Sequence, residues 1–426
     1  MWPTLVANKI LKKRLGSSNF IADYPSYEEP LLAITDIHQR SKTILPLQKN
    51  TQKYKVFVST WNVGGIAPDE DLNIEDLLQT CNNSCDIYVL GFQEIVPLKA
   101  SNVLGSENNE ISTKWNSIIR DSLNKRTSLQ FDDNKQELKN ISHNNDKSEQ
   151  HFECIISKQM VGIFISVWTR SDIRPFIQHP SVSCVGCGIM GCLGNKGSVS
   201  VRFVLHETSF CFVCSHLASG GREGDQKNRN SNVAEIFSRT SFPRGPLFDL
   251  PRKILDHDHV ILLGDLNYRI SLPEEKIRLL VENGDWDSLF ENDQLMKEQM
   301  SGNMLRGWNE GAIKFAPTYK YFPNSDMYYG CCHHGKKTEK KRAPAWCDRI
   351  VWYGKGLNQL QYTRSESKLS DHRPVKAIFT AEFGVLSEPE NMESLFLSER
   401  FQQIKTAFEV STTDELVRKK QLSFRL

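Results

Sequence analysis

The sequence predicts an α/β or α+β sandwich, and three observations predict it. Strand-like runs recur from Lys53 to about residue 384, with only a few helical segments between them. Some runs, above all Val260, Ile261, Leu262 and Leu263, are apolar without alternation, as in a strand buried on both faces. Run after run ends in a polar cluster, which is where a rigid sheet presents chemistry. The chain has 426 residues, enough for one large domain or two ordinary ones.

Residues 1–52 read as an N-terminal extension of mixed polarity, in which Pro25 and Pro30 interrupt any long element. Strands are then expected in KVFVSTWN (55–62), DIYVLGFQE (86–94), MVGIFISVW (160–168) and SVSVRFVL (198–205). SFCFVCSHL (209–217), HVILLGDLN (259–267), RIVWYG (349–354) and PVKAIFTAEF (374–383) continue the series. Helical patterns lie between them at Ile74 to Thr80, Thr113 to Lys125, Lys227 to Arg239 and Pro273 to Glu282. Residues 124–150 are rich in Asn, Lys, Asp and Ser and poor in aromatics, so they read as a disordered surface insertion. Residues 385–426 form a tail with one amphipathic stretch and a basic end, LVRKKQLSFRL.

Composition narrows the class. A hydrophobic content of 39% and a charged content of 24% are those of a soluble globular protein. A formal net charge of +2 argues against a whole-surface nucleic-acid binder, so any basic site must be local. Apolar stretches such as Val161 to Trp168 are far shorter than the roughly 20 residues needed to span a bilayer. The start, MWPTLVANKILKKRL, admits two readings: a basic amphipathic helix touching a membrane, or an ordinary terminal helix. Eleven scattered cysteines suggest reduced thiols and a cytoplasmic or nuclear setting. Cys184 with Cys187, and Cys211 with Cys214, have the spacing of zinc knuckles. In an apolar strand, however, positions 211 and 214 point to opposite faces and cannot easily share a metal.

The strand ends supply Asn62; Gln93 and Glu94; His216; Asp265, Asn267 and Arg269; Asp348 and Arg349; and Asp371 with His372. A single buried Asp or His is usually a satisfied structural group. Six such ends together point to a site. Hard oxygen ligands favour Mg²⁺, a His beside an Asp is an oriented imidazole, and an Asp–Asn pair can orient or deprotonate water. Those parts suit hydrolysis of a phosphoester. The Gly194–Gly197 stretch GNKG reads on its own as a tight hairpin turn.

Taken in order, TWNVGG (60–65), GFQEIVPL (91–98), GNKGSVSVRF (194–203), SHLASG (215–220), GDLNYRI (264–270), PTYKY (317–321), RAPAWCDRI (342–350) and SDHRPV (370–375) resemble the inositol polyphosphate 5-phosphatases. The WP start and SHLASGGREGDQKNRN resemble the plant branch of that family. The family lies within the endonuclease/exonuclease/phosphatase superfamily, and the resemblance covers about residues 53–383. It implies two mixed β-sheets packed face to face with flanking helices, a deoxyribonuclease-like four-layer architecture. It implies that residues 53–384 are the catalytic domain. It also implies roles: Glu94 as main Mg²⁺ ligand with Asn62 and Asp371 beside the metal, and Asp265 and Asn267 on the attacking water. His372, oriented by Asp348, and His216 would contact the phosphoryl group. Tyr319, Lys320, Lys340 and Arg342 would grip the neighbouring 4-phosphate, and Lys196 is placed with these substrate-binding residues. Arg269 and Arg349 are expected to brace the site's carboxylates.

The expected activity is removal of a 5-phosphate from a phosphoinositide lipid or a soluble inositol polyphosphate. A nuclease or sphingomyelinase would keep Glu94, Asp265 and His372 but has no use for Arg342 within RAPAWCDRI. A non-catalytic phosphoinositide-binding scaffold has no use for Asp265, Asn267 and His372. Peripheral membrane contact is compatible with the basic ends, and no nucleic-acid partner is expected.

Overall fold

The apolar runs become the inner strands of two stacked sheets. The computed structural model describes residues 49–78, 85–134, 151–244, 250–330 and 342–386. The strands are β1 (Lys49–Asn62), β2 (Ile87–Gln93), β3 (Phe152–Met160), β4 (Ile163–Arg170), β5 (Ile177–Gly186), β6 (Gly197–Leu205), β7 (Thr208–His216), β8 (His259–Asp265), β9 (Asn309–Glu310), β10 (Asp348–Tyr353), β11 (Leu357–Arg364) and β12 (Val375–Leu386). One six-stranded sheet has the order β11-β12-β1-β2-β4-β3, the other β5-β6-β7-β8-β10-β9. Both are mixed, with β1–β2 and β7–β8 parallel against antiparallel neighbours. Residues 52–383 belong to one compact unit.

The inner faces interdigitate. Val58, Val89, Ile165 and Val167 of the first sheet share a core with Val199, Val201, Phe212, Cys214, Ile261 and Leu263 of the second. Gly91 sits where the sheets come closest: a Cβ there would lie 2.7 Å from Leu263 Cδ1 and 2.8 Å from Cys214 Sγ. The outer faces are covered too. The helices are α1 (Glu75–Leu78), α2 (Ala100–Leu104), α3 (Glu110–Asn134), α4 (Asp225–Arg239), α5 (Glu274–Glu282), α6 (Trp286–Phe290) and α7 (Gln294–Met300). Trp115, Ile119 and Leu123 of α3 pack with Trp61, Phe92 and Trp168 outside the first sheet. Val233 and Ile236 of α4 pack with Val213, Val260 and Leu262 outside the second. Each residue of Val260–Leu263 is therefore buried, with alternate side chains feeding different cores. Cys211 and Cys214 likewise fall in separate cores, so they share no metal.

Two expectations change. The helix expected at Thr113 to Lys125 continues to Asn134, through the first part of the stretch read as a disordered insertion. Nothing between 124 and 134 is Gly or Pro, and a helix already anchored by buried Trp115 and Ile119 propagates at little cost. The strands β3, β5, β9 and β11 carry no clear run in the sequence, and they are the four sheet edges. Edge positions are covered on fewer sides, and the alternation is diluted: β11 is buried at Leu357 and only partly buried or exposed thereafter. Residues 1–48, 135–150 and 387–426 lie outside the described residues. No helix among the described residues is long and apolar enough to cross a membrane.

Gly91→Ala should lower stability by about 1–3 kcal/mol through overpacking between the sheets. A urea unfolding midpoint unchanged from the native protein would disprove this packing constraint.

Candidate active site

Strand pairing places the polar ends. In the parallel pair β1–β2, Asn62 faces Gln93, so Asn62 and Glu94 leave the first sheet together. In the parallel pair β7–β8, His216 faces Asp265, and antiparallel β10 enters at Asp348 opposite the same Asp265. Gly264 makes this possible: its φ is +151° and a Cβ would lie 2.0 Å from Ser215 O. Two polar bonds then close the gap between the sheets. Asn62 Nδ2 donates to Asp265 Oδ2 at 3.0 Å, and His372 Nδ1 meets Asp348 Oδ2 at 2.8 Å. These groups line a cleft of about 520 Å³ at one end of the sandwich.

Asp265 is 2% exposed and is surrounded by donors. Besides Asn62 it receives the Asn267 backbone N–H at 3.1 Å, and His216 Nε2 lies 3.2 Å away. Burial alone would raise its pKa. The His216 hydrogen bond and the charges of His372 and Lys196 outweigh burial and hold the carboxyl well below the usual range. Burial, assisted by Lys196, lowers the pKa of His216, and Lys196 Nζ itself abuts His216 Nε2. Asp348 is fully buried and also accepts from Thr318 Oγ1 at 2.7 Å. Burial disfavours charge on His372, yet Asp348, followed by Asp265 and Asp371, raises its pKa to about 9. Burial raises the pKa of Asp348 as well, so the two groups share their proton across the 2.8 Å bond and titrate as a pair. Glu94 and Asn267 adopt left-handed backbone conformations, with φ of 54° and 59°. Such strain in non-glycine residues gathers at functional sites.

Most of the expected site residues come together here. Asn62, Glu94, Lys196, His216, Asp265, Asn267, Tyr319, Lys320, Arg342, Asp371 and His372 all line the cleft. Asp348 lies directly behind His372, and Lys340 falls outside the described residues. Their orientations refine the expectations. Asn62 accepts the Gly64 N–H on Oδ1 at 3.0 Å, so the amide turns its nitrogen, not its oxygen, towards Glu94 and Asp265. His216 is 1% exposed and turned to Asp265. Lys320 Nζ pairs with Asp371 Oδ2 at 2.5 Å. GNKG is no two-residue hairpin, since residues 187–196 join β5 to β6 and carry Lys196 into the cleft.

Arg349 does not brace the site's carboxylates. It is fully buried between Asp293 at 2.9 Å and Glu310 at 2.6 Å, and Asp293 also caps α7. The following strand position faces away from Asp348, so an arginine there reaches a different set of acids. Arg269 braces a carboxamide instead: Nη2 donates to Asn267 Oδ1 at 2.7 Å and Nε to Asn267 O at 3.1 Å. Thr318 was not singled out in the sequence. Its only signal is its place one residue before Tyr319, whose backbone bridges both Ala345 and His372.

The family model for endonuclease/exonuclease/phosphatase family 2 matches residues 59–378. The chain is 65% identical to the Arabidopsis thaliana type IV inositol polyphosphate 5-phosphatase 9, over 95% of this chain and 96% of that one. It is 45% identical to the type I inositol polyphosphate 5-phosphatase 8 of the same plant, over 89% and 85%. The chain belongs to the inositol polyphosphate 5-phosphatases. It is thus a phosphatase by class. Among solved structures, the 5-phosphatase domain of SPsynaptojanin, bound to inositol (1,4)-bisphosphate and calcium, is similar at a TM-score of 0.66 and 28% identity. That match covers 88% of this chain and 97% of that chain. The ferrous NO complex of Cimex nitrophorin shares the fold alone, at a TM-score of 0.52 and 18% identity over 80% of this chain and 100% of that one.

Arg349→Ala would leave Asp293 and Glu310 buried without their counter-ion. This 5-phosphatase should then lose about 3–5 kcal/mol of stability, read by denaturant unfolding, without a matching loss of turnover per folded molecule. A selective loss of turnover in a stable protein would return Arg349 to the catalytic site.

Proposed function

We propose that this 5-phosphatase removes the 5-phosphate from an inositol ring that also carries a 4-phosphate, by in-line attack of water. The ring belongs to a phosphoinositide lipid or to a soluble inositol polyphosphate. The observation that carries the reading is the arrangement at the cleft floor. A buried carboxylate surrounded by three donors stands across from the hydrogen-bonded His372–Asp348 pair.

Each residue follows from that geometry. Asp265, held ionised by its donors, orients the attacking water and accepts its proton as the phosphorus is attacked. Asn267 has one amide N–H on Leu217 O at 3.1 Å and keeps the second for the water or a phosphoryl oxygen. His372 spends Nδ1 on Asp348, which leaves Nε2 to donate to a phosphoryl oxygen as charge develops there. Asn62 and His216 act behind these groups by holding Asp265 charged and in place. Asp348, Asp265 and His372 lie close enough for one ion, but hydrogen bonds already engage all three. Glu94 is different: its carboxylate is 28% exposed to the cleft, and among the described residues its polar contacts are a long 3.4 Å bond from Asn62 and His216 Nε2 at 3.7 Å. That weakly engaged hard oxygen fits Mg²⁺, with Asp371 beside it once Lys320 releases it, and the ion would neutralise charge on the phosphoryl group.

Recognition of the neighbouring phosphate falls to Tyr319, Lys320 and Arg342. Arg342 Nη1 meets the Tyr319 hydroxyl at 2.6 Å, so a cation and a hydroxyl project into the cleft together. Phosphates separated by sugars, as in a nucleic acid, do not reach both this pocket and His372 in the same way. The synaptojanin domain's bound inositol (1,4)-bisphosphate supports an inositol phosphate in such a cleft.

Phosphate release should be measured with Mg²⁺ on phosphatidylinositol 4,5-bisphosphate vesicles and on soluble inositol 1,4,5-trisphosphate, with abasic DNA as control. Turnover of either inositol substrate, abolished by EDTA, is the expected result, and their ratio separates the lipid from the soluble source. Asp265→Ala and His372→Ala should each lower kcat by on the order of 10²-fold or more with the fold retained. Arg342→Ala should chiefly raise KM. Near-normal kcat in both of the first two variants would overturn the mechanism.

A further inference from the structure

Arg269 connects two parts of the cleft whose roles differ. On one side its guanidinium grips Asn267 through Oδ1 at 2.7 Å and the backbone carbonyl at 3.1 Å, which fixes the carboxamide's orientation. On the other it stacks on the ring of Tyr319, with its central carbon 4.4 Å from the ring centroid. That ring also lies 4.7 Å from the His372 ring, and its hydroxyl takes the hydrogen bond from Arg342. A planar cation thus joins Asn267, at the attacking water, to Tyr319 and Arg342, at the neighbouring phosphate.

The arginine is itself held from behind. Its backbone N–H donates to Gln294 Oε1 at 3.0 Å, and that oxygen also accepts from the fully buried Arg229 at 2.7 Å. Among the described residues no carboxylate forms an ion pair with Arg269. Its contacts include an amide oxygen, a carbonyl and an aromatic face, and Asp265 attracts it electrostatically. Its orientation therefore rests in part on the ring of Tyr319, the one of these partners that also faces Arg342. Fixing that ring fixes the fork, and the fork fixes Asn267.

We propose that Arg269 is a positioning residue that couples occupancy of the neighbouring-phosphate pocket to the alignment of Asn267. A vicinal phosphate then raises kcat and does not only lower KM. The proposal rests on the functional reading above. A phosphate engaging Arg342 and the Tyr319 hydroxyl restrains the ring between Arg269 and His372. The restraint reaches Asn267 through two hydrogen bonds whose geometry only a guanidinium supplies. Lysine would keep the charge and lose both the fork and the stack.

The test compares kcat and KM for inositol 1,4,5-trisphosphate and inositol 1,5-bisphosphate, which differ only in the 4-phosphate. The native enzyme should turn over the first with a kcat higher by on the order of tenfold, a usual size for coupling between sites. In Arg269→Lys that kcat ratio should fall towards one, and Tyr319→Leu should do the same. Combining either with Arg342→Ala should lower the ratio no further than the single variants do. Thermal unfolding of each variant separates a lost fold from a lost coupling. Equal loss of kcat on both substrates in Arg269→Lys would make Arg269 a mere support for Asn267. A rise in KM alone would make it a direct phosphate ligand, and either result overturns the proposal. A native kcat ratio of one overturns the coupling alone, whereas no turnover of either substrate overturns the functional reading beneath it.

Discussion

The open end of this sandwich depends on keeping one buried carboxylate, Asp265, ionised. A charged group removed from water costs several kcal/mol unless donors replace its hydration. Here the donors come from separate parts of the chain: Asn62 at the end of β1, His216 at the end of β7, and the backbone of Asn267 just past β8. Each must arrive within hydrogen-bond distance at once. Register is therefore fixed on both sheets, because a slip by one residue would turn Asn62 or His216 to the opposite face. The parallel pairs β1–β2 and β7–β8 meet that requirement by ending side by side, each at the same rim of the core.

The second sheet separates stability from chemistry at adjacent positions. Asp348 faces His372 and the cleft, while Arg349 faces away into Asp293 and Glu310. Alternation along β10 lets one strand serve both ends without bringing the structural cation into the reacting site. The first sheet shows the same division: Phe57 and Trp61 pack under α3, while Asn62 ends the strand in the cleft.

The shared fold decides little about activity. Cimex nitrophorin has the architecture at 18% identity, and its structure is a ferrous NO complex. What sets this chain among the 5-phosphatases is its likeness in sequence to them, and its segment 317–321 places Tyr319 between Ala345 and His372. Chemistry sits on the sheets, where positions are rigid. On the proposed reading, recognition falls to Tyr319 and Lys320 of segment 317–321 and to Arg342 beside them.

The sandwich class, the inner strands and the polar strand ends of the cleft are legible along the chain, whereas Lys196, Tyr319, Lys320 and Arg342 came from the family resemblance. The legible signals are local: unbroken apolar runs for strands covered on both faces, and polar residues that an apolar run has no reason to end in. The four edge strands are not legible, since a strand with a neighbour on one side only keeps a mixed pattern. Where the charged side chains go is settled by packing between segments. Nothing local distinguishes Arg269, which holds Asn267 and stacks on Tyr319, from Arg349, which neutralises Asp293 and Glu310. The orientation of Asn62 was equally hidden, because it depends on Asp265, some two hundred residues away in sequence and 3.0 Å away in space. Hydrophobic pattern is written along the chain, but the partner of a buried charge is chosen by packing between segments that are distant along it.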